Sequence, residues 1–201
     1  MILIALSLGA CWLPKGEHVG DSGGGIVGAD GGGSADGGGD VPAGCELGDI
    51  DPSVFPAISG ACRPPELVTV TWVADGDTFK VDSSQGEETI RFIGVNTPET
   101  GYGTTSVECY GLEASAFTKD HFPEGTCLWL SFDHDCIDPY DRTLAYLWTG
   151  PGEQDMYQRR LLQEGYARVL TIAPDDHFSE LFGQDQAAAE AAGVGLWSAC
   201  E

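Results

Sequence analysis

Five short runs between residues 66 and 149 alternate apolar and polar side chains with a period of two, the pattern of strands with one buried face. Residues 66–73 (ELVTVTWV) place Val68, Val70 and Trp72 on one face. Runs over 77–84 and 88–95 follow, separated by a Gln85-Gly86 turn and carrying Phe79, Val81, Ile90 and Phe92, which predicts a three-stranded meander. Residues 110–121 (YGLEASAFTKDH) are rich in helix formers and stop before Pro123 and Gly125. Leu128, Leu130 and Phe132 then mark a fourth strand over 126–133, and Leu144, Tyr146 and Trp148 a fifth over 142–149. A helix is predicted over 155–164, ending at Gly165, and a last one over about 178–192, where AAAEAA precedes Gly193 and Gly195. Trp197 beyond it should pack back onto the domain. Three strands, a helix, two strands and two helices describe a β-rich α+β fold: a five-stranded OB-fold barrel flanked by three helices.

Ahead of these elements the pattern changes character. Residues 20–39 contain eleven glycines and almost nothing that can be buried, so 12–44 reads as a flexible tether. The first eleven residues form an apolar run too short to span a bilayer, and Leu8-Gly9-Ala10-Cys11 has the form of a lipobox. Cys11 is the expected lipidation site, although no Lys or Arg precedes it as a secretory leader ordinarily requires. The expectation is an exported protein, either a cell-envelope lipoprotein or extracellular, that touches the membrane only through its N-terminal lipid. Residues 45–65, with Pro52, Pro56, Pro64 and Pro65, read as a loop-rich lead-in to a domain over 66–201.

With Cys11 set aside, six cysteines remain: Cys45, Cys62, Cys109, Cys127, Cys136 and Cys200. Their even number and the lack of any zinc-type spacing favour disulfides in an oxidising compartment. Cys45–Cys62 and Cys127–Cys136 are the expected pairings.

Charge narrows the function. The chain carries 9 basic and 32 acidic residues, a net of −23, and residues 66–201 alone hold 24 acidic against 7 basic side chains. General electrostatic attraction to a polyanion is therefore excluded. Chemistry has to come from a local constellation, and three segments supply one. Asp75-Gly76-Asp77 could turn two carboxylates toward one cation. Arg91 sits inside an apolar strand, where a charge needs a partner or a ligand, and Asn96-Thr97-Pro98-Glu99 follows it. Asp138-Pro139-Tyr140-Asp141-Arg142 puts a second arginine at the mouth of the fifth strand. Phosphodiester cleavage needs this set: a cation, a base for water, and rigid donors for the charge that builds on phosphorus. Taken singly, each residue also has a structural reading as a turn cap or an ion pair. The histidines, His18, His121, His134 and His177, show no ligand spacing, and the five tryptophans read as core.

In order and spacing, VADGDTFKV, IRFIGVNTPET, ECYGLEASAFTK, DPYDRTLAYLW, LLQEGYARV and GLWS resemble the successive motifs of the staphylococcal nuclease (thermonuclease) family. The resemblance covers residues 66 to about 199 and implies a monomeric, Ca²⁺-dependent endo- and exonuclease that leaves 3′-phosphates on single- or double-stranded DNA and RNA. Carried over by motif, Asp77, Asn96 and the Thr97 carbonyl would hold calcium. Glu99 would be the general base, and Arg91 and Arg142 would bind the scissile phosphate. Asp75 and Asp138 would support the site, with Tyr140 a further phosphate donor.

The sequence departs from that family in three places. Asn96 stands where an aspartate ligand is usual, so weaker metal binding is expected. Thr171 and Ala173 occupy the expected positions of two base-stacking tyrosines, with His177 and Phe178 a little further on. Gly103-Thr104-Thr105-Ser106 and Pro139 replace lysines. These departures keep a rival reading open: an inactive nuclease-like module at the envelope that binds an oligonucleotide or a protein, or serves as a scaffold.

Overall fold

The computed structural model describes residues 45–101 and 106–200. Cys11, the tether and residues 103–105 lie outside the described residues. Five strands close into a barrel in the order β1-β2-β3-β6-β5: Glu66–Val73 (β1), Thr78–Ser83 (β2), Gly86–Phe92 (β3), Cys127–Ser131 (β5) and Thr143–Trp148 (β6). All pairings are antiparallel except β3 with β6, which run parallel. Helices Gly111–His121 (α1), Tyr157–Gln163 (α2) and Ser179–Ala192 (α3) flank the barrel, followed by one turn at Leu196–Ala199 (α4). The predicted strands and helices are all present.

The structure differs from the sequence reading where tertiary contacts override local period. A bulge between Val70 and Trp72 shifts the register of β1 on β2. Val68, Val70 and Val73 therefore face the core, while Trp72 turns out to 54% exposure. Trp129 and Trp148 are core residues, as expected. The predicted third strand ends early. After Phe92 the chain bends at Gly94 into a separate short strand, Gly94–Asn96 (β4), which pairs with Arg168–Leu170 (β7). Neither three-residue strand is long enough to show a period.

The predicted disulfides are also overturned. The bonds are Cys45–Cys127, Cys62–Cys136 and Cys109–Cys200, not Cys45–Cys62 and Cys127–Cys136. The cause is the path of residues 45–65, which cross the barrel wall instead of folding back on themselves. The Trp129 indole N–H donates to the Leu47 carbonyl at 2.9 Å, bringing Cys45 to the start of β5. The Cys62 N–H donates to the Asp133 carbonyl at 2.7 Å, beside the loop that carries Cys136. Between these anchors Phe55 is buried against Trp129 and Trp148, so the lead-in contributes to the core.

Candidate active site

Strand register explains why distant segments meet. Thr78 opens β2 opposite Arg91 on β3, so Asp77 ends beside that arginine. Arg91 is in turn opposite Leu144 on the parallel strand β6, which brings Arg142, just upstream of β6, to the same rim. β4 then carries Asn96 and, beyond it, Thr97 to Glu99 past the same place. Asp75, Asp77, Arg91, Asn96, Glu99, Asp138, Tyr140 and Arg142 all line one cleft of about 650 Å³. Thr97 is buried against its wall.

Asp77 is the hub. Its Oδ2 accepts from the Thr97 N–H at 2.7 Å and the Thr97 hydroxyl at 3.1 Å, and pairs with Arg91 Nη1 at 3.2 Å. Among the described residues its Oδ1 accepts only a long bond from the Thr78 hydroxyl, 3.2 Å. Gly76 is required here because a β-carbon would lie 2.7 Å from the Thr97 side chain. The Asp75 carboxylate accepts the Asp77 N–H at 3.1 Å. Burial, reinforced by the Asp77 charge, pushes Asp75 up to about 6.

The two arginines are held differently. Arg91 is 8% exposed and its fork is fixed: Nη1 donates to the carbonyls of Phe92 (3.2 Å) and Val95 (3.0 Å), and Nη2 to Asn96 Oδ1 (2.9 Å). Arg142 is partly exposed and grips Asp138 Oδ2 through Nε at 2.7 Å and Nη2 at 2.6 Å. Asp138 Oδ1 accepts the N–H groups of Tyr140 and Arg142. Burial opposes the Asp138 charge, but these bonds from Arg142 and Tyr140 win and hold its carboxyl below the usual value. Tyr140 is 80% exposed, with the Arg142 guanidinium over its ring at 5.4 Å. Glu99 is exposed at the cleft edge.

The donors suit a hard divalent cation. Among the described residues Asp77 Oδ1 is under-used, and the Thr97 carbonyl receives only a 3.4 Å contact from the Asn96 amide. The closely packed acids gain from any cation placed among them, and oxygen-only donors are what calcium prefers. Asn96 Oδ1 already serves Arg91, so it would meet a cation with its second lone pair.

Two features escaped sequence reasoning. Leu170, Ile172 and Ala173 line the cleft but Thr171 does not: Leu170 is carried there by its pairing with Gly94, and the turn closed by the Ile172–Asp175 bridge brings in Ile172 and Ala173. Aliphatic side chains, with Ile172 at 65% exposure, thus stand where Thr171 was expected, and Phe178 is core packed on Tyr146. The second is a group that reaches the cleft through Asp175: Asp133, His134 and Asp175, whose ligand atoms lie within 4.8 Å of one another. Asp133 is fully buried and accepts from the Tyr146 hydroxyl (2.8 Å), the His177 N–H (3.2 Å) and the His134 N–H (3.0 Å). Those bonds make it a structural corner; the only sequence signal was the FDHD run itself.

Comparison with known proteins agrees with this arrangement. The family model described as "Staphylococcal nuclease homologue" matches residues 89–199. A thermonuclease of Staphylococcus intermedius is 39% identical over 132 residues, 66% of this chain and 76% of that protein. A thermonuclease of Staphylococcus hyicus is 40% identical over 126 residues, 63% of this chain and 72% of its own. The endonuclease YncB of Bacillus subtilis is 35% identical over 133 residues, 65% of this chain and 61% of its own.

Proposed function

Since the chain belongs to the staphylococcal nuclease family and is a nuclease, we propose that it is a calcium-dependent phosphodiesterase that hydrolyses DNA and RNA to 3′-phosphate products. The observation that carries this reading is the convergence of Asp77, Arg91, Glu99 and Arg142, drawn from four separate segments, on one cleft. Asp77, the Thr97 carbonyl and Asn96 would hold calcium, with Asp75 behind them. When bound, the ion would neutralise part of the phosphate charge.

The chain's own groups divide the remaining work. Arg91, fixed by two carbonyls, Asp77 and Asn96, offers its free N–H groups to the phosphate without further ordering cost. Arg142, held by Asp138 through Nε and Nη2, offers its remaining Nη N–H groups to the equatorial oxygens, with the Tyr140 hydroxyl as a further donor. Glu99, exposed at the cleft edge, accepts a proton from the attacking water. As the new P–O bond forms, the bond from phosphorus to the 5′-oxygen breaks; that oxygen takes a proton from solvent to become a 5′-hydroxyl, and the phosphate stays on the 3′ side.

The test is incubation of the whole chain with single-stranded DNA in Ca²⁺ and in EDTA, with end-group analysis. Cleavage in calcium alone, with 3′-phosphate ends, is expected. Intact DNA in calcium, or equal cleavage in EDTA, contradicts the proposal.

We also propose that Cys11 carries lipid and tethers a monomeric domain to the cell envelope. No helix among the described residues is long and apolar enough to cross a membrane. Cys11→Ser should move the protein from the membrane to the soluble fraction; retention at the membrane refutes the anchor.

A further inference from the structure

Glu99 is seated by a strand of chain that returns beneath it. Its N–H donates to the Glu108 carboxylate at 3.0 Å, and its carbonyl accepts the Glu108 N–H at 2.9 Å. The next residues out, Thr100 and Val107, form an antiparallel bridge. Gly111, the first residue of α1, lies so close that a β-carbon would collide with the Glu99 carbonyl. Segment 107–111 therefore fixes where the Glu99 backbone lies.

Burial holds only the α1 end of that seat, at Gly111, and not the residues that bond Glu99. Val107, Glu108 and Cys109 are all exposed. Tyr110 takes a left-handed φ of 71°, which L side chains resist, so the local backbone would not choose this path unaided. What does constrain it is a covalent bond: Cys109 is joined to Cys200, with Cα atoms 5.7 Å apart. Cys200 follows α4, which is firmly set, because Leu196 is buried and its N–H donates to the Gly165 carbonyl at 2.9 Å. Stacking of Tyr110 on Tyr166 at 5.4 Å adds a second, weaker tie to the same corner.

We propose that the Cys109–Cys200 disulfide, acting through Glu108, positions the Glu99 carboxylate, so that losing the bond impairs turnover and not substrate binding. The proposal rests on the reading of Glu99 as the general base. A base works only within hydrogen-bond reach of the water it activates, and a misplacement of about 1 Å can cost on the order of a hundredfold. A disulfide closing a long loop also stabilises the fold, so stability alone cannot reveal this role. Turnover per folded molecule can.

The experiment compares C109S/C200S with C45S/C127S, the second removing a disulfide none of whose residues lines the cleft. Both are assayed at a temperature where near-UV circular dichroism shows each to be folded. C109S/C200S should lower kcat about tenfold or more with KM within about twofold, while C45S/C127S keeps the kcat of the parent. Glu108→Ala, which keeps the disulfide but removes the acceptor of the Glu99 N–H, should lower kcat several-fold. Glu99→Gln should cost less in the C109S/C200S background than in the parent, since both changes act on one carboxylate. An equal kcat for the two disulfide variants, or a full multiplicative effect of Glu99→Gln, overturns the proposal. Should C109S/C200S fail to fold, an unchanged kcat in Glu108→Ala overturns it instead. If Glu99→Gln leaves the parent's kcat intact, the failure lies with the general-base reading, whatever the disulfide does.

Discussion

Asn96 shows how much one side chain can change within a familiar constellation. Its amide oxygen serves Arg91 at 2.9 Å, and its nitrogen points at the Thr97 carbonyl, a position where an anionic ligand would attract a cation. An amide brings no charge, and ligand charge is a main lever on calcium affinity. Asn96→Asp should lower the calcium concentration for half-maximal activity by about tenfold, adding one formal charge beside the ion; an unchanged calcium titration refutes this. The candidate residues themselves were legible in the sequence because their chemistry is tied to short motifs, DGD, TPE and DPYDR. Their partners were not. That Arg142 would be gripped by Asp138, or that Leu170 and Ile172 would enter the cleft in place of Thr171, depends on strand register and turn geometry that no local spacing encodes.

Among elements, the barrel strands were readable because alternation over five to eight residues survives noise, and the last two long helices because Gly165 and Gly193 end them. The β1 bulge, the β4–β7 pair and the disulfides were not, since each is fixed by what the chain meets after folding. The same is true of the seam between the parallel strands β3 and β6. There Glu88 joins Arg63 of the lead-in at 2.7 Å, Thr143 of β6 at 2.7 Å and Ser83 of β2. Arg63 also lies over the Phe132 ring at 4.6 Å. Burial disfavours the Glu88 charge, but the bonds from Arg63, Ser83 and Thr143 outweigh it and hold the carboxyl below its ordinary value of 4.5. Because the folded pKa is depressed, this stabilisation is present above about pH 4.5 and fades as pH falls through the folded value. Glu88→Gln should therefore cost about 1–3 kcal/mol near pH 7, and the gap from the parent should close in strongly acidic solution. Denaturant titrations across that range check it; a gap independent of pH contradicts it.

The molecule as a whole sets the terms of encounter with its substrate. At a net charge of −23 the protein repels a polyanion, and the cleft itself holds six carboxylates against two arginines. Screening shortens that repulsion, from a Debye length of about 30 Å at 0.01 M salt to about 8 Å at 0.15 M. With calcium held saturating, kcat/KM should rise with ionic strength over this interval, opposite to the fall expected of a basic nucleic-acid binder. A steep fall would contradict net repulsion as the term that governs association. Attraction has to be local, supplied by two guanidinium groups and a cation, with a carboxylate set beside them to activate water. The most direct measurement of that claim is single-turnover cleavage of saturating single-stranded DNA in calcium by the parent chain, Glu99→Gln and Arg142→Ala. A loss of about a hundredfold or more is expected for each variant, with DNA still bound by Glu99→Gln, whereas parental cleavage rates in either variant would contradict the assignment.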